Sequence, residues 1–276
     1  MPERPGGRGA EPLAYSISDR RHLTPAEVLS DTRVLAGRQL RKVLRRPMYV
    51  VFLFIQPVLF VLLFRYVFGG AINTGHLSYV NYLMPGIIVM TATFGSMTTG
   101  LGLTEDMAGG VVDRLRSLPI SHAAILIGRT AADMVTNLVT LVVMIGIGLL
   151  VGFRPSQPIY DFILAVLLTL AFAYVFSWIS AWVGLASKNP ETAQSVGFIW
   201  VFPLVFASSA FTPTTHMVAP VKAFANVNPI TLLTNAARDL MVGGHSATAP
   251  ALWALVWMVG LLLLFVPLAV RQLRRA

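Results

Sequence analysis

Hydrophobic positions in this chain gather in long blocks instead of alternating with polar ones. Six apolar stretches stand out: Met48–Phe68, Tyr79–Leu101, Ala131–Phe153, Phe162–Ala186, Ala193–Phe211 and Leu252–Val270. Each approaches the ~20 residues that a helix needs to cross the hydrocarbon of a bilayer. The pattern predicts an all-α membrane protein with six transmembrane helices. Pro57, Pro85, Pro203 and Pro267 fall inside the blocks. In lipid, neighbouring helices re-satisfy the carbonyls that proline frees, so kinks are expected and breaks are not required. An even number of crossings places both termini on one side.

A different period precedes the first block. In "LTPAEVLSDTRVLAGRQLRKVLRR", residues 23–46, Leu29, Thr32, Ala36, Leu40 and Val43 share one face, opposite Glu27, Asp31, Arg38, Arg41, Lys42 and Arg45. Thr24 can cap this helix, Pro25 suits its first position and Glu27 completes a capping box. It reads as an amphipathic helix lying in the headgroup layer, basic face toward anionic lipid. Residues 1–22 are polar and rich in Pro, Gly and Arg, which predicts a disordered cytoplasmic tail without the apolar core of a signal peptide. Residues 47–276 remain as the six-helix domain.

Two segments between blocks are more than linkers. Over 103–118, Leu103, Met107, Val111, Leu115 and Leu118 form one apolar stripe, while Glu105, Asp106, Asp113 and Arg116 lie away from it and Arg114 adds a further charge. A short peripheral helix is expected there, weakened by Gly109 and Gly110 at about 1 kcal/mol each and ended by Pro119. Before the last block, Pro220–Ala225 and Pro229–Met241 read as two short helices broken at Asn228-Pro229 and stopped by Gly243-Gly244. Val221, Phe224, Ile230, Leu232, Leu233, Leu240 and Met241 are too apolar for a free loop. A helical hairpin re-entering the membrane is expected, with Arg238 and Asp239 near the surface.

Composition fits the same class: the chain is 55% hydrophobic and 12% charged, with a mean hydropathy of +0.70. A net charge of +9 would suit nucleic acid, but the cations sit at the ends of apolar blocks, where headgroups and membrane orientation explain them. Arg33, Arg38, Arg41, Lys42, Arg45, Arg46, Arg114, Arg116, Arg129, Lys188, Arg271, Arg274 and Arg275 fall on one side. Arg154, Lys222 and Arg238 fall on the other, with Arg65 near that end of the first block. The positive-inside rule makes both termini and segment 103–118 cytoplasmic.

Residues for covalent chemistry do not assemble. There is no Cys, which excludes thiolate chemistry and disulfides. The lysines follow Arg41, Ser187 and Val221, so no Gly-Lys pair can form a P-loop. His22, His76, His122, His216 and His245 are scattered, with no pair at metal-ligand spacing. Asp133 is the one acid close to a block interior. Arg129 lies four residues earlier, the spacing of a helical salt bridge, and a proton relay through Asp133 is the competing reading. That reading would make the chain a proton-coupled drug efflux carrier.

The order of these parts resembles the type II ABC exporter permeases, specifically the daunorubicin-resistance-type subfamily of bacterial drug and lipid exporters. The likeness is carried by "FIQPVLFVLLFRYVFGGAI" (54–72), "YVNYLMPGIIVM" (79–90), "GLTEDMAGGVVDRLRSLPI" (102–120) and "GRTAADM" (128–134). "NPETAQSVGFIWVFPLVFASSAF" (189–211) and "NPITLLTNAARDLMVG" (228–243) complete it. The resemblance implies an exporter of hydrophobic drugs, antibiotics or lipids in a bacterial plasma membrane, built from two permeases, identical or related, and two ATPase subunits. ATP and magnesium would be bound by the ATPase and no cofactor by this chain. The helix at 103–118, through Glu105, Asp106, Asp113, Arg114 and Arg116, would dock the ATPase together with the amphipathic helix. Substrate would lie between permeases; Phe94, Met97, Phe198, Trp200, Phe202 and Phe206 are the candidate liners, since aromatic and Met surfaces suit flat amphipathic molecules. Arg129, Asp133 and Arg238 are expected to be structural charges.

Overall fold

In a computed structural model of the chain, the structure describes residues 55, 58–68, 77–111, 122–244 and 246–275. The tail 1–22, the amphipathic helix 23–46, the start of the first apolar block and the docking candidates Asp113, Arg114 and Arg116 lie outside the described residues. All regular elements among the described residues are helical. They are α1 (Val58–Val67), α2 (Tyr79–Ala108), α3 (His122–Val151), α4 (Ile159–Ala186), α5 (Pro190–Phe206), α6 (Ala219–Val227), α7 (Pro229–Met241) and α8 (Thr248–Arg275). Phe64–Phe68, at the end of α1, is wound as a π-helix.

Four of them, α2, α3, α4 and α8, are long and apolar enough to cross a bilayer. This is a multi-pass membrane protein. The fifth expected crossing is shorter than its apolar run: α5 has 17 residues, begins at Pro190 and stops at Phe206. Asn189 fixes its start, accepting a hydrogen bond from the Thr192 amide at 2.8 Å, with Pro190 in the first turn. Its apolar run continues to Phe211, but as a packed turn outside the helix.

The second expected crossing is longer than the apolar block. Ser78 caps α2, and the helix then runs unbroken for 30 residues, past Leu101 to Ala108. Glu105 and Asp106 therefore belong to the long helix itself. Gly109 and Gly110 end it instead of lying within a separate short helix: Gly110 has φ +65, a left-handed conformation that suits glycine.

α2 and α4 form the centre, and they pack on each other more extensively than any other pair. Their backbones touch at Gly100 and Gly184, where a Cβ on either would run into a carbonyl of the facing helix. The Thr104 hydroxyl donates to the Gly184 carbonyl at 2.9 Å across this crossing. Helices in lipid gain little from apolar burial against each other, so close backbone approach and interhelical hydrogen bonds must hold them. α3, α5, α7 and α8 surround the central pair, and the core is lined by Leu83, Met84, Ile87, Phe172, Phe176 and Ile230.

The two expected short helices are present as α6 and α7, with a break at Asn228-Pro229. Asn228 serves two helices at once. Its side-chain oxygen accepts from the Ile230 amide at 2.9 Å, starting α7, while its amide nitrogen donates to the Leu204 and Ala207 carbonyls at 2.7 and 3.0 Å. Those carbonyls lie at the end of α5, where intrahelical partners run out.

Candidate functional site

Polar side chains buried in an apolar helical protein must find partners; many threonines and serines bond to carbonyls of their own helix, and two arginines organise the ties between helices. The first is Arg129 on α3. Its Nη1 lies 3.1 Å from Asp106 Oδ2 and its Nε 3.2 Å from Asp133 Oδ2, while Nη2 donates to the Thr98 carbonyl at 3.2 Å. The Thr99 hydroxyl donates to Asp133 Oδ2 at 2.6 Å. The spacing of Arg129 and Asp133 thus gives the helical ion pair, and Asp133 is engaged from both helices.

Asp106 departs from expectation. It was placed on an outward charged face; its residue is 8% exposed and turned toward α3. The physical reason is Arg129: a guanidinium near the end of α3 offers a buried carboxylate a charge-assisted partner. Glu105, one residue earlier, is only partly buried. The guanidinium lies flat against α2 because Gly102 has no side chain; a Cβ there would occupy the position of Arg129 Nη2.

The second arginine is Arg238 on α7, expected near the surface and found 6% exposed. Its Nε donates to the Tyr82 carbonyl at 3.0 Å, Nη2 to the Ser209 carbonyl at 2.9 Å and Nη1 to Asn235 Oδ1 at 2.9 Å. Its plane covers the Tyr82 ring, 3.7 Å from the centroid, a cation–π contact. Tyr82 also donates to the Ser209 carbonyl at 3.0 Å, and the Ser209 amide donates to the Thr231 hydroxyl at 3.2 Å. The turn after α5 is thereby pinned between α2 and α7. Burial is possible because the Tyr82 and Ser209 carbonyls and the Asn235 amide oxygen supply the acceptors that water would otherwise provide.

The six aromatic and methionine candidates do not share one face. Phe94 and Phe198 meet across α2 and α5 with centroids 6.0 Å apart, and Met97 lies against Gly197 of the same helix. Phe198 is 39% and Phe202 50% exposed, on the open side of α5. Trp200 is turned the other way, 5.5 Å from Phe176. Phe206 belongs to a stack with Phe60 of α1 and Phe211 of the following turn, at 6.3 and 5.3 Å, which ties α1 to the end of α5. Sequence reasoning missed Gly102 and Thr99: the first carries no chemistry, and the second is meaningful only once α3 is packed beside it.

Known proteins match most of the chain. A family model described as ABC-2 type transporter covers residues 30–242. The chain is 31% identical over 228 residues to the daunorubicin resistance ABC transporter permease protein DrrB1 of Streptomyces coeruleorubidus, across 83% of this chain and 80% of that protein. It is 25% identical over 244 residues to the probable doxorubicin resistance ABC transporter permease protein DrrC of Mycobacterium tuberculosis, across 88% of each. A putative transport permease, ycf38, of Porphyra purpurea is 28% identical over 212 residues, 74% of this chain and 71% of that one. Taken with a membrane fold of long apolar helices, these matches establish that the chain belongs to the ABC-2 type transporter family, as a permease.

Proposed function

We propose that this chain is the membrane subunit of an ATP-driven exporter that moves hydrophobic or amphipathic drugs, antibiotics or lipids out of a bacterial cell. The observation that carries the reading is the near full-length similarity to permeases named for daunorubicin and doxorubicin resistance. Six crossings complete the layout, with α1 and α5 as the first and fifth, 1–22 as a tail and 23–46 as an interfacial helix. Both termini are cytoplasmic, and 212–250 lies on the opposite side with α6 and α7 re-entering the membrane.

No P-loop can be formed from the lysines of this chain, so nucleotide chemistry belongs to a separate ATPase that binds ATP and magnesium. The ATPase docks on 103–118 and the amphipathic helix. Glu105, Asp113, Arg114 and Arg116 are the charges it reads; Asp106, buried against Arg129, is left out of that set. Two permeases pair through their α2 and α5 sides, and Phe94, Met97, Phe198 and Phe202 line the substrate path. The open aromatic side of α5 supports this assignment; Trp200 and Phe206 serve packing. ATP binding closes the ATPase pair and shifts the permeases from inward- to outward-open, by no more than the differential binding energy supplied. Asp133 is engaged by Arg129 and Thr99, which speaks against a proton relay.

The test is reconstitution. The purified chain in vesicles is expected to hydrolyse no ATP. Adding a partner ATPase subunit should give ATP-dependent movement of a fluorescent amphipathic dye. Dye movement driven by a proton gradient with no ATPase present would reject the reading. Charge reversal at Arg114 or Arg116 should weaken co-purification of the ATPase; unchanged association removes those residues from the docking surface.

A further inference from the structure

We propose that Arg129 is a coupling residue, locking the end of α2 to α3 so that the two helices move as one body when the ATPase engages the segment beyond Gly110. The inference rests on the docking reading above. Three ties cross between the helices. Arg129 reaches the Thr98 carbonyl and Asp106, eight residues apart on α2, and Thr99 of α2 reaches Asp133 of α3. They span about 12 Å along α2 at the helical rise per residue. Together they fix both the rotation and the register of one helix against the other.

Stability alone does not call for such a cluster. A buried guanidinium–carboxylate group often contributes no more than apolar residues of the same volume. What it adds is direction: a planar fork with fixed donor angles tolerates no sliding. Apolar helix faces in lipid gain little from burial against each other, so side-chain packing alone resists sliding less than a seated polar fork does. A push delivered at Gly110 would then be absorbed as slippage along α3. With the fork seated, it is delivered to both helices. The seat is specific to this position, since the guanidinium occupies the space left by Gly102.

Gly102→Ala tests this without altering a charge. The new Cβ displaces Arg129 Nη2, while alanine favours helix over glycine, so a role in helix stability alone predicts no loss. Thr99→Val is a second variant that removes the α2 tie to Asp133 and keeps the shape. Both are assembled with the ATPase in vesicles, and three quantities are read: ATPase association, ATP hydrolysis and dye moved per ATP. Association and hydrolysis are expected to hold, with dye per ATP falling about fivefold or more in Gly102→Ala. Because the chain has no Cys, a pair introduced at Leu101 and Leu138 can carry spin labels in an otherwise unmodified background. Their separation should be insensitive to nucleotide in the parent and nucleotide-dependent in Gly102→Ala.

Unchanged dye per ATP in both variants overturns the proposal, as does a parent separation that changes with nucleotide. Loss of ATPase association in the variants overturns it too, since these residues would then serve docking. A parent exporter that binds no ATPase marks a different failure, that of the permease reading itself.

Discussion

Arg129 and Arg238 sit at opposite ends of α2, about 36 Å apart from Tyr82 to Asp106 at the helical rise, and they are held by different chemistry. Arg129 is gripped by the carboxylates of Asp106 and Asp133, whereas Arg238 is held by two backbone carbonyls, a side-chain amide and an aromatic face. Carboxylates carry formal charge, so their grip responds to other charges brought near. Carbonyls and rings are fixed dipoles and quadrupoles that answer only to geometry. The end facing the charged segment uses the responsive chemistry, and the end that pins the turn after α5 uses the fixed one.

Three substitutions probe this contrast, beginning with the largest effect. Arg238→Ala should cost about 3–5 kcal/mol, since it removes three charge-assisted hydrogen bonds and the cation–π contact from a buried position. The monodisperse fraction in detergent should collapse, and Arg238→Lys should not restore it, because an ammonium cannot present a planar fork. A well-folded Arg238→Ala protein would show that the fixed end is dispensable. Asn228→Ala should cost about 1 kcal/mol for the lost cap of α7, plus the two carbonyls at the end of α5. Thermal unfolding in detergent would register it as a modest shift, and no shift would mean that water replaces the amide. The smallest stability change is expected when Arg129→Met, Asp106→Asn and Asp133→Asn are combined. Removing a whole buried ion cluster is often near neutral, within about 1 kcal/mol in favourable cases. Unfolding at the parental temperature with lost dye transport would sharpen the contrast; unfolding as severe as Arg238→Ala would erase it.

Local signals were readable along the chain, and tertiary ones were not. The short helices α6 and α7 were legible because Pro229 after Asn228 and the Gly243-Gly244 stop act within a few residues; α7 runs over Pro229–Met241 as expected. The end of α2 was misjudged at Leu101. Glu105 and Asp106 look like the outward face of a separate short helix until Arg129, 23 residues beyond Asp106, is packed beside that carboxylate. Arg238 was placed near the surface for the same reason, since its acceptors on Tyr82 and Ser209 lie 156 and 29 residues away. Among the site candidates, composition suggested an aromatic path, but only packing shows Phe198 and Phe202 exposed on α5, Trp200 set against Phe176, and Phe206 joining Phe202 to Phe60 and Phe211.

The unbroken course of α2 has a mechanical meaning. A helix of this length resists compression and stretching along its axis, because every turn is cross-braced by its own hydrogen bonds. Sideways force applied at the Gly109 end therefore has to emerge as tilt. With the far end bolted down by Arg238, the guanidinium clasp on Tyr82 becomes a fulcrum, and Pro85, one turn inside it, is the joint at which the beam can bend.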